Sequence, residues 1–199
     1  MTYELFLALV GFAFVTSVTP GPNNMMLLAS GVNFGLRRTV PHMLGISVGH
    51  SVMVFLVGLG VAGVFLAHPL ALTALKVAAV GYMLWLAWKI ARSGAPGEGR
   101  AVGQPMTFLQ AAAFQWVNPK AWAMALGAVA AYVPAPSVGS YALVAVVFAG
   151  VNLPSVSLWA AAGQGLRRWL EGPGRLRLFN WGMAGLLVLS LWPVVWMEV

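Results

Sequence analysis

Six long apolar stretches follow one another along the chain, near residues 5–32, 41–67, 70–91, 108–133, 140–163 and 178–196, separated by short polar or glycine- and proline-containing connections. About 20 helical residues cross the roughly 30 Å of hydrocarbon in a bilayer, so each stretch predicts a membrane-spanning helix. Two of the six are interrupted: the first at Thr19-Pro20-Gly21-Pro22-Asn23-Asn24, the fourth at Asn118-Pro119-Lys120. Proline has no N–H to donate, so the carbonyl four residues earlier loses its helical partner: Thr16 for Pro20, Val18 for Pro22 and Gln115 for Pro119. Hydrocarbon tolerates such groups only where protein or a water-filled cavity supplies new partners. Breaks at corresponding places in the two halves of a membrane chain point to the binding site of a secondary transporter.

The connections alternate in charge. Arg37 and Arg38 follow the first stretch, Lys89, Arg92 and Arg100 the third, and Arg167, Arg168, Arg175 and Arg177 the fifth, so nine of the eleven bases fall on one face. The positive-inside bias makes that face cytoplasmic and predicts both termini outside. Residues 93–105 are rich in glycine and proline and read as a cytoplasmic linker. The chain thus divides into a three-helix repeat at 1–92, a linker at 93–106 and a second three-helix repeat at 107–199. Three is odd, so the second copy enters the membrane from the opposite side and the repeats are inverted. The fold class expected is an all-α integral membrane protein of six helices, the first and fourth broken mid-membrane.

Composition narrows the function. Of 199 residues, 60% are hydrophobic and 8% charged, with four glutamates and no aspartate, so the solvent for this fold is lipid. The net charge of +7 does not indicate nucleic acid, because the bases lie between apolar runs rather than on one polar face. Cysteine is absent, which excludes disulfides, thiol relays and thiolate metal sites. No acidic residue lies inside a stretch, which argues against a metal-ion pump or a carboxylate proton relay, and no phosphate-binding loop or nucleotide domain is present. The first stretch has no preceding Lys or Arg and runs straight into its proline motif, as expected of a retained helix rather than a cleaved signal.

After each break the chain resumes as a half-helix whose first N–H groups lack partners and carry the positive dipole end, which suits an anion. Asn23 and Asn24 stand at the first restart, with amide donors and acceptors; Lys120 stands at the second, beside Asn118. The freed carbonyls are acceptors for an ammonium group or sodium ion, so the pair of breaks fits a zwitterion. Thr19 belongs to the same motif. His50, following Gly45, Ser47 and Gly49, and Asn152, ahead of a further predicted break at Pro154, lie at comparable depth in the second and fifth stretches. His50 titrates near neutrality and is the candidate for a coupling proton, with packing as the competing role; sodium held by the freed carbonyls is the competing ion. Lys76 reads as a snorkelling residue, and Gly58, Gly60, Gly63, Met25, Met26 and the nine tryptophans as packing and interface anchors.

Thr19-Pro20-Gly21-Pro22-Asn23-Asn24, Gly45-Ile46-Ser47-Val48-Gly49 and Asn118-Pro119-Lys120-Ala121-Trp122 together resemble the lysine-exporter (LysE/RhtB) family of bacterial amino-acid efflux proteins. The resemblance covers essentially the whole chain. It implies export of amino acids or close derivatives across the inner membrane, driven by an ion gradient, with no cofactor, no metal and no enzymatic activity. The first motif is most similar to that of members handling neutral substrates such as cysteine or O-acetylserine. The partners expected are the substrate, a coupling ion with the proton favoured, and lipid, with self-association left open. A non-transporting scaffold whose kinks fit partner helices is the competing reading.

Overall fold

The computed structural model describes residues 1–93, 104–170 and 173–192, and among these there are helices, turns and no strand. Helix α1 (Tyr3–Val18) is N-capped by the Thr2 hydroxyl, which accepts from the Leu5 N–H at 3.3 Å. It ends where Pro20 and Pro22 withhold their donors. Helix α2 (Pro22–Phe34) restarts with Pro22 in its first turn and lies 54° off the α1 axis. Gly35 then takes φ 79°, a left-handed value that a side chain would oppose, and the chain turns at once into α3 (Leu36–Gly58). Gly60, at φ 101°, makes a second such turn before α4 (Val61–Ala67) and α5 (Pro69–Ala91). In the second half α6 (Phe108–Phe114) starts on a capping box between Thr107 and Gln110, and tightens into a 3₁₀ turn at Gln115–Val117. The chain breaks at Asn118 and resumes as α7 (Pro119–Tyr132), followed by α8 (Val138–Leu166) and α9 (Pro173–Leu189).

Helix α3, the Thr73–Ala91 part of α5, and α8 are each long and apolar enough to cross a membrane, and α1 with α2 qualifies as a fourth, bent crossing. Two expectations change. Pro154 does not break its helix: α8 runs on through it. A single interior proline removes one hydrogen bond, and packing of α8 against α1, α2 and α3 holds the helix together across the gap. Gly60 does more than pack, since it ends one helix and starts another. Residues 94–103 of the expected linker and 193–196 of the last stretch lie outside the described residues.

Helix α8 lies against α1, α2 and α3, α3 lies against α6, α7 and α8, and α5 pairs with α9 beside them. The crossings are close because small residues sit at them. A methyl at Gly31 of α2 would strike the Ala160 carbonyl of α8, one at Gly163 would strike the Leu28 carbonyl, and one at Gly49 of α3 would fall 2.5 Å from the Ala112 Cα of α6. Large apolar side chains such as Leu70, Val77, Leu109, Val146, Leu158 and Leu189 point outward, as a lipid-facing surface requires. The guanidinium of Arg92 lies 4.7 Å from the Trp88 ring and the ammonium of Lys89 5.3 Å from Trp85, a cation–π pairing suited to a headgroup boundary.

The interior holds two separate apolar cores. One contains Met26, Leu27, Met43, Ile46, Phe114, Val156 and Ala160; the other contains Leu9, Ala13, Met53, Val54, Ala121, Met124, Ala125 and Phe148. Four chain passages, α1–α2, α3, α6–α7 and α8, cross from one core to the other, and on each the crossing point is polar. Ser17 and Asn24 mark it on α1–α2, Ser47 and His50 on α3, Gln115 and Asn118 on α6–α7, and Asn152 on α8, all buried. A polar belt therefore separates two oil-like halves.

Candidate functional site

Within that belt is a pocket of ≈ 300 Å³ of empty space, lined among others by Asn23, Asn24, His50, Asn118, Lys120 and Asn152. Six predicted side chains from four chain passages thus meet in one place. Gly21 also lines it, while Thr19 stands just outside and reaches it through Lys120.

The first break is held open by polar partners. The Asn24 amide donates to the carbonyls of Ser17 (2.9 Å) and Thr19 (2.7 Å), staying buried as it bridges the end of α1 to the start of α2. The Thr19 hydroxyl donates to the Thr16 carbonyl at 3.2 Å, and the Trp159 indole N–H donates to the Val18 carbonyl at 3.0 Å. Both carbonyls freed by the prolines therefore have donors from the protein itself. At the second break the Gln115 carbonyl accepts from the Asn118 N–H at 3.3 Å. These three carbonyls were expected as acceptors for a bound cation; the fold engages them internally.

The two restarts differ. The side chain of Asn118 caps α7, accepting from the Lys120 N–H at 3.1 Å, whereas α2 begins at Gly21 without a side-chain cap. An anion therefore finds uncapped donors at the start of α2 only. Lys120 crosses from the second break to the first. Its half-buried stem lies over Gly21, and its ammonium donates to the Thr19 carbonyl (2.6 Å), the Thr19 hydroxyl (2.9 Å) and the Pro20 carbonyl (3.2 Å). Those carbonyls form the C-terminal end of α1, where the helix dipole favours a cation.

Sequence reasoning missed Gln115 and Ser17 as side chains. The amides of Gln115 and Asn23 exchange two hydrogen bonds, at 2.9 and 3.2 Å, tying the two breaks together a second time. Ser17 accepts from the Asn152 amide at 3.1 Å. The signal for Gln115 was present, an amide in an apolar run four residues ahead of Pro119. A serine in a membrane helix gives no such signal, because its hydroxyl satisfies itself on the preceding turn as often as not.

Two groups in the pocket retain unused hydrogen-bonding capacity. Neither ring nitrogen of His50 has a partner, and neither does the Asn152 side-chain oxygen, although both residues are buried. His50 is held instead by edge contact with Phe148, at 5.1 Å between centroids. An unmet buried polar group costs about 1–3 kcal/mol, so the pocket presents an imidazole and an amide oxygen whose pairing awaits a solute or water. Among the described residues no acidic side chain lines the pocket, and there is no cluster of His, Asp and Glu able to hold a metal. The chemistry on offer is hydrogen bonding from amides and an imidazole, beside one ammonium.

No solved structure matches the chain. It is 30% identical over 177 residues to the cysteine/O-acetylserine efflux protein of Escherichia coli K12, and equally to that of Shigella sonnei, covering 88% of this chain and 90% of each relative. Residues 14–191, which include both breaks and every residue of the pocket, match the LysE type translocator family. The chain is a multi-pass membrane transporter rather than an enzyme, and it belongs to the LysE type translocator family.

Proposed function

We propose that this chain is a secondary active exporter of small amino acids or their O-acyl derivatives, working by alternating access around the polar belt in the bacterial inner membrane. The carrying observation is the pocket itself: polar groups from four passages converge between two apolar cores, with hydrogen-bonding capacity left over. A purely structural kink would have no reason to leave His50 and Asn152 unsatisfied. A zwitterion matches the polar groups that the pocket brings together. Its carboxylate meets the uncapped N-terminus of α2, the Asn23 amide and Lys120, and its ammonium meets the Asn152 oxygen. The relatives' names support this substrate class, since cysteine and O-acetylserine are both small zwitterions.

The architecture we infer is six membrane passages in two inverted halves, α1–α5 and α6–α9. The packing supports it. If α1–α2 corresponds to α6–α7, α3 to α8 and α5 to α9, then the contacts of α1 and α2 with α8 are mirrored by those of α6 and α7 with α3, while α3–α8 and α5–α9 are each self-related. Such a pair of halves, rocking against each other, opens the pocket to either face in turn. The bases after the first, third and fifth passages support an orientation with that end in the cytoplasm and both termini in the periplasm. The proton is the favoured coupling ion, with His50 the pocket group able to carry it.

Energised inside-out vesicles carrying the chain should accumulate O-acetyl-L-serine or cysteine, and Lys120→Met should remove the accumulation. Vesicles lacking the protein set the baseline; accumulation no higher than theirs would refute the exporter reading.

A further inference from the structure

A second cavity, of ≈ 420 Å³ of empty space, opens between α2, α3 and α5 at the end of the molecule that carries the clustered bases, with Ser30, Asn33, His42, Lys89 and Gln104 among its lining. Nothing in the sequence reading assigned it, and His42 went unremarked. Most of its polar groups are occupied: Ser30 pairs with Thr39 at 2.8 Å, and Asn33 exchanges hydrogen bonds with Asn180 at 2.9 and 3.1 Å. His42 is the exception. It is 1% exposed, and neither ring nitrogen has a partner. A neutral imidazole always carries one donor and one acceptor, so both are left unmet at a cost that packing alone would avoid. Among the described residues Lys89 is the one Lys or Arg in the lining and supplies an ammonium, and none of them brings a carboxylate to the cavity.

The two cavities lie in series. Helix α3 carries His42 in one and His50 in the other, eight residues or about 12 Å apart along the helix, and α2 carries Ser30 and Asn33 in one and Asn23 and Asn24 in the other. Between them on the same helices stand Met26, Met43 and Ile46, packed in one apolar core with Phe114. We propose that the second cavity is a cytoplasmic loading site that takes the carboxylate of the exported amino acid on Lys89 and His42 before the apolar layer opens to the central pocket. This rests on the exporter reading and on the orientation inferred above, and adds to them a second station that the central pocket does not require.

An anionic lipid headgroup could meet the same two donors, so the test has to separate the sources. The full chain is reconstituted in one orientation into phosphatidylcholine vesicles, and in parallel into vesicles containing phosphatidylglycerol, with O-acetyl-L-serine as the transported probe. Lys89→Gln and His42→Leu should each raise the half-saturating concentration on the cytoplasmic side about tenfold, the loss of one charge-assisted or imidazole hydrogen bond, in both lipid mixtures. Their maximal rates should stay within about twofold of the unaltered chain. His42→Leu should keep or raise the thermal midpoint, because it removes an unpartnered polar group; a lowered midpoint with unchanged half-saturation would make His42 a packing residue and overturn the proposal. Unchanged half-saturation in both variants, or a change confined to phosphatidylglycerol vesicles, would also overturn it while leaving the exporter reading intact. An unaltered chain that moves no probe would overturn that reading, and the loading site with it.

Discussion

Lys120 shows what a single side chain does at this site. Its ammonium is a latch, because it spans from α7 to the carbonyl end of α1 through three hydrogen bonds. Under the proposed function a substrate carboxylate competes with those carbonyls for the same charge. Lys120→Met should therefore reduce export at least about a hundredfold, some 2.7 kcal/mol of lost stabilisation, while protein abundance in the membrane stays normal. Transport assayed beside immunodetection in the same vesicles checks both halves. Asn24→Leu is the structural counterpart. It strips donors from two carbonyls in the first break, and should destabilise the folded protein by about 1–3 kcal/mol, read as a lower thermal midpoint in detergent. Asn23, Asn24 and Lys120 were legible in the sequence because polar side chains beside prolines are conspicuous in an apolar run. The direction in which Lys120 reaches was not, since it depends on where α1 ends in space.

Among elements, the α2–α8 crossing is the tightest described, and its two glycines face backbone atoms that cannot rotate away. Gly31→Ala should force the helices apart and cost about 1–3 kcal/mol, whereas Gly11→Ala, with open space around it, should be neutral or gain up to about 1 kcal/mol from helix propensity. Thermal midpoints of the two variants in one detergent decide the matter. The same scale explains the error at Pro154. Pro20 and Pro22 act together with Gly21, and Pro119 follows Asn118 in an extended conformation, so those prolines sit at ends. Pro154 stands as a single proline inside a 29-residue helix, and one missing donor does not stop it.

For the whole molecule, orientation and coupling are the questions that residues and helices leave open. The wild type lacks cysteine, so single replacements report cleanly. A cysteine at Trp169, exposed beyond the end of α8, should be shielded from an impermeant thiol reagent added to intact cells, and one at Ser137, ahead of α8, should react. The reverse pattern would invert the proposed topology. If protons drive export, His50→Gln should uncouple transport from an imposed pH gradient yet spare substrate exchange. Sodium-dependent efflux with normal kinetics in that variant would remove the histidine from the mechanism.

The apolar periodicity, the two proline breaks and the clustered bases determined the helical class, the places where the chain is interrupted and the polar residues beside them, because lipid penalises every unpaired backbone group and so restricts what an apolar run can be. Sequence alone also placed His50 and Asn152 at a depth comparable to the breaks. The donors to the Thr16 and Gln115 carbonyls are local, Thr19 and Asn118 each lying three residues further along the chain. Only the tertiary structure decided the rest: Trp159 reaches the Val18 carbonyl across 141 residues of chain, Gln115 meets Asn23 across 92, and His42 and His50 are left unpartnered. A carbonyl released by proline is a local fact, but a long-range donor exists only where folding packs another helix beside it.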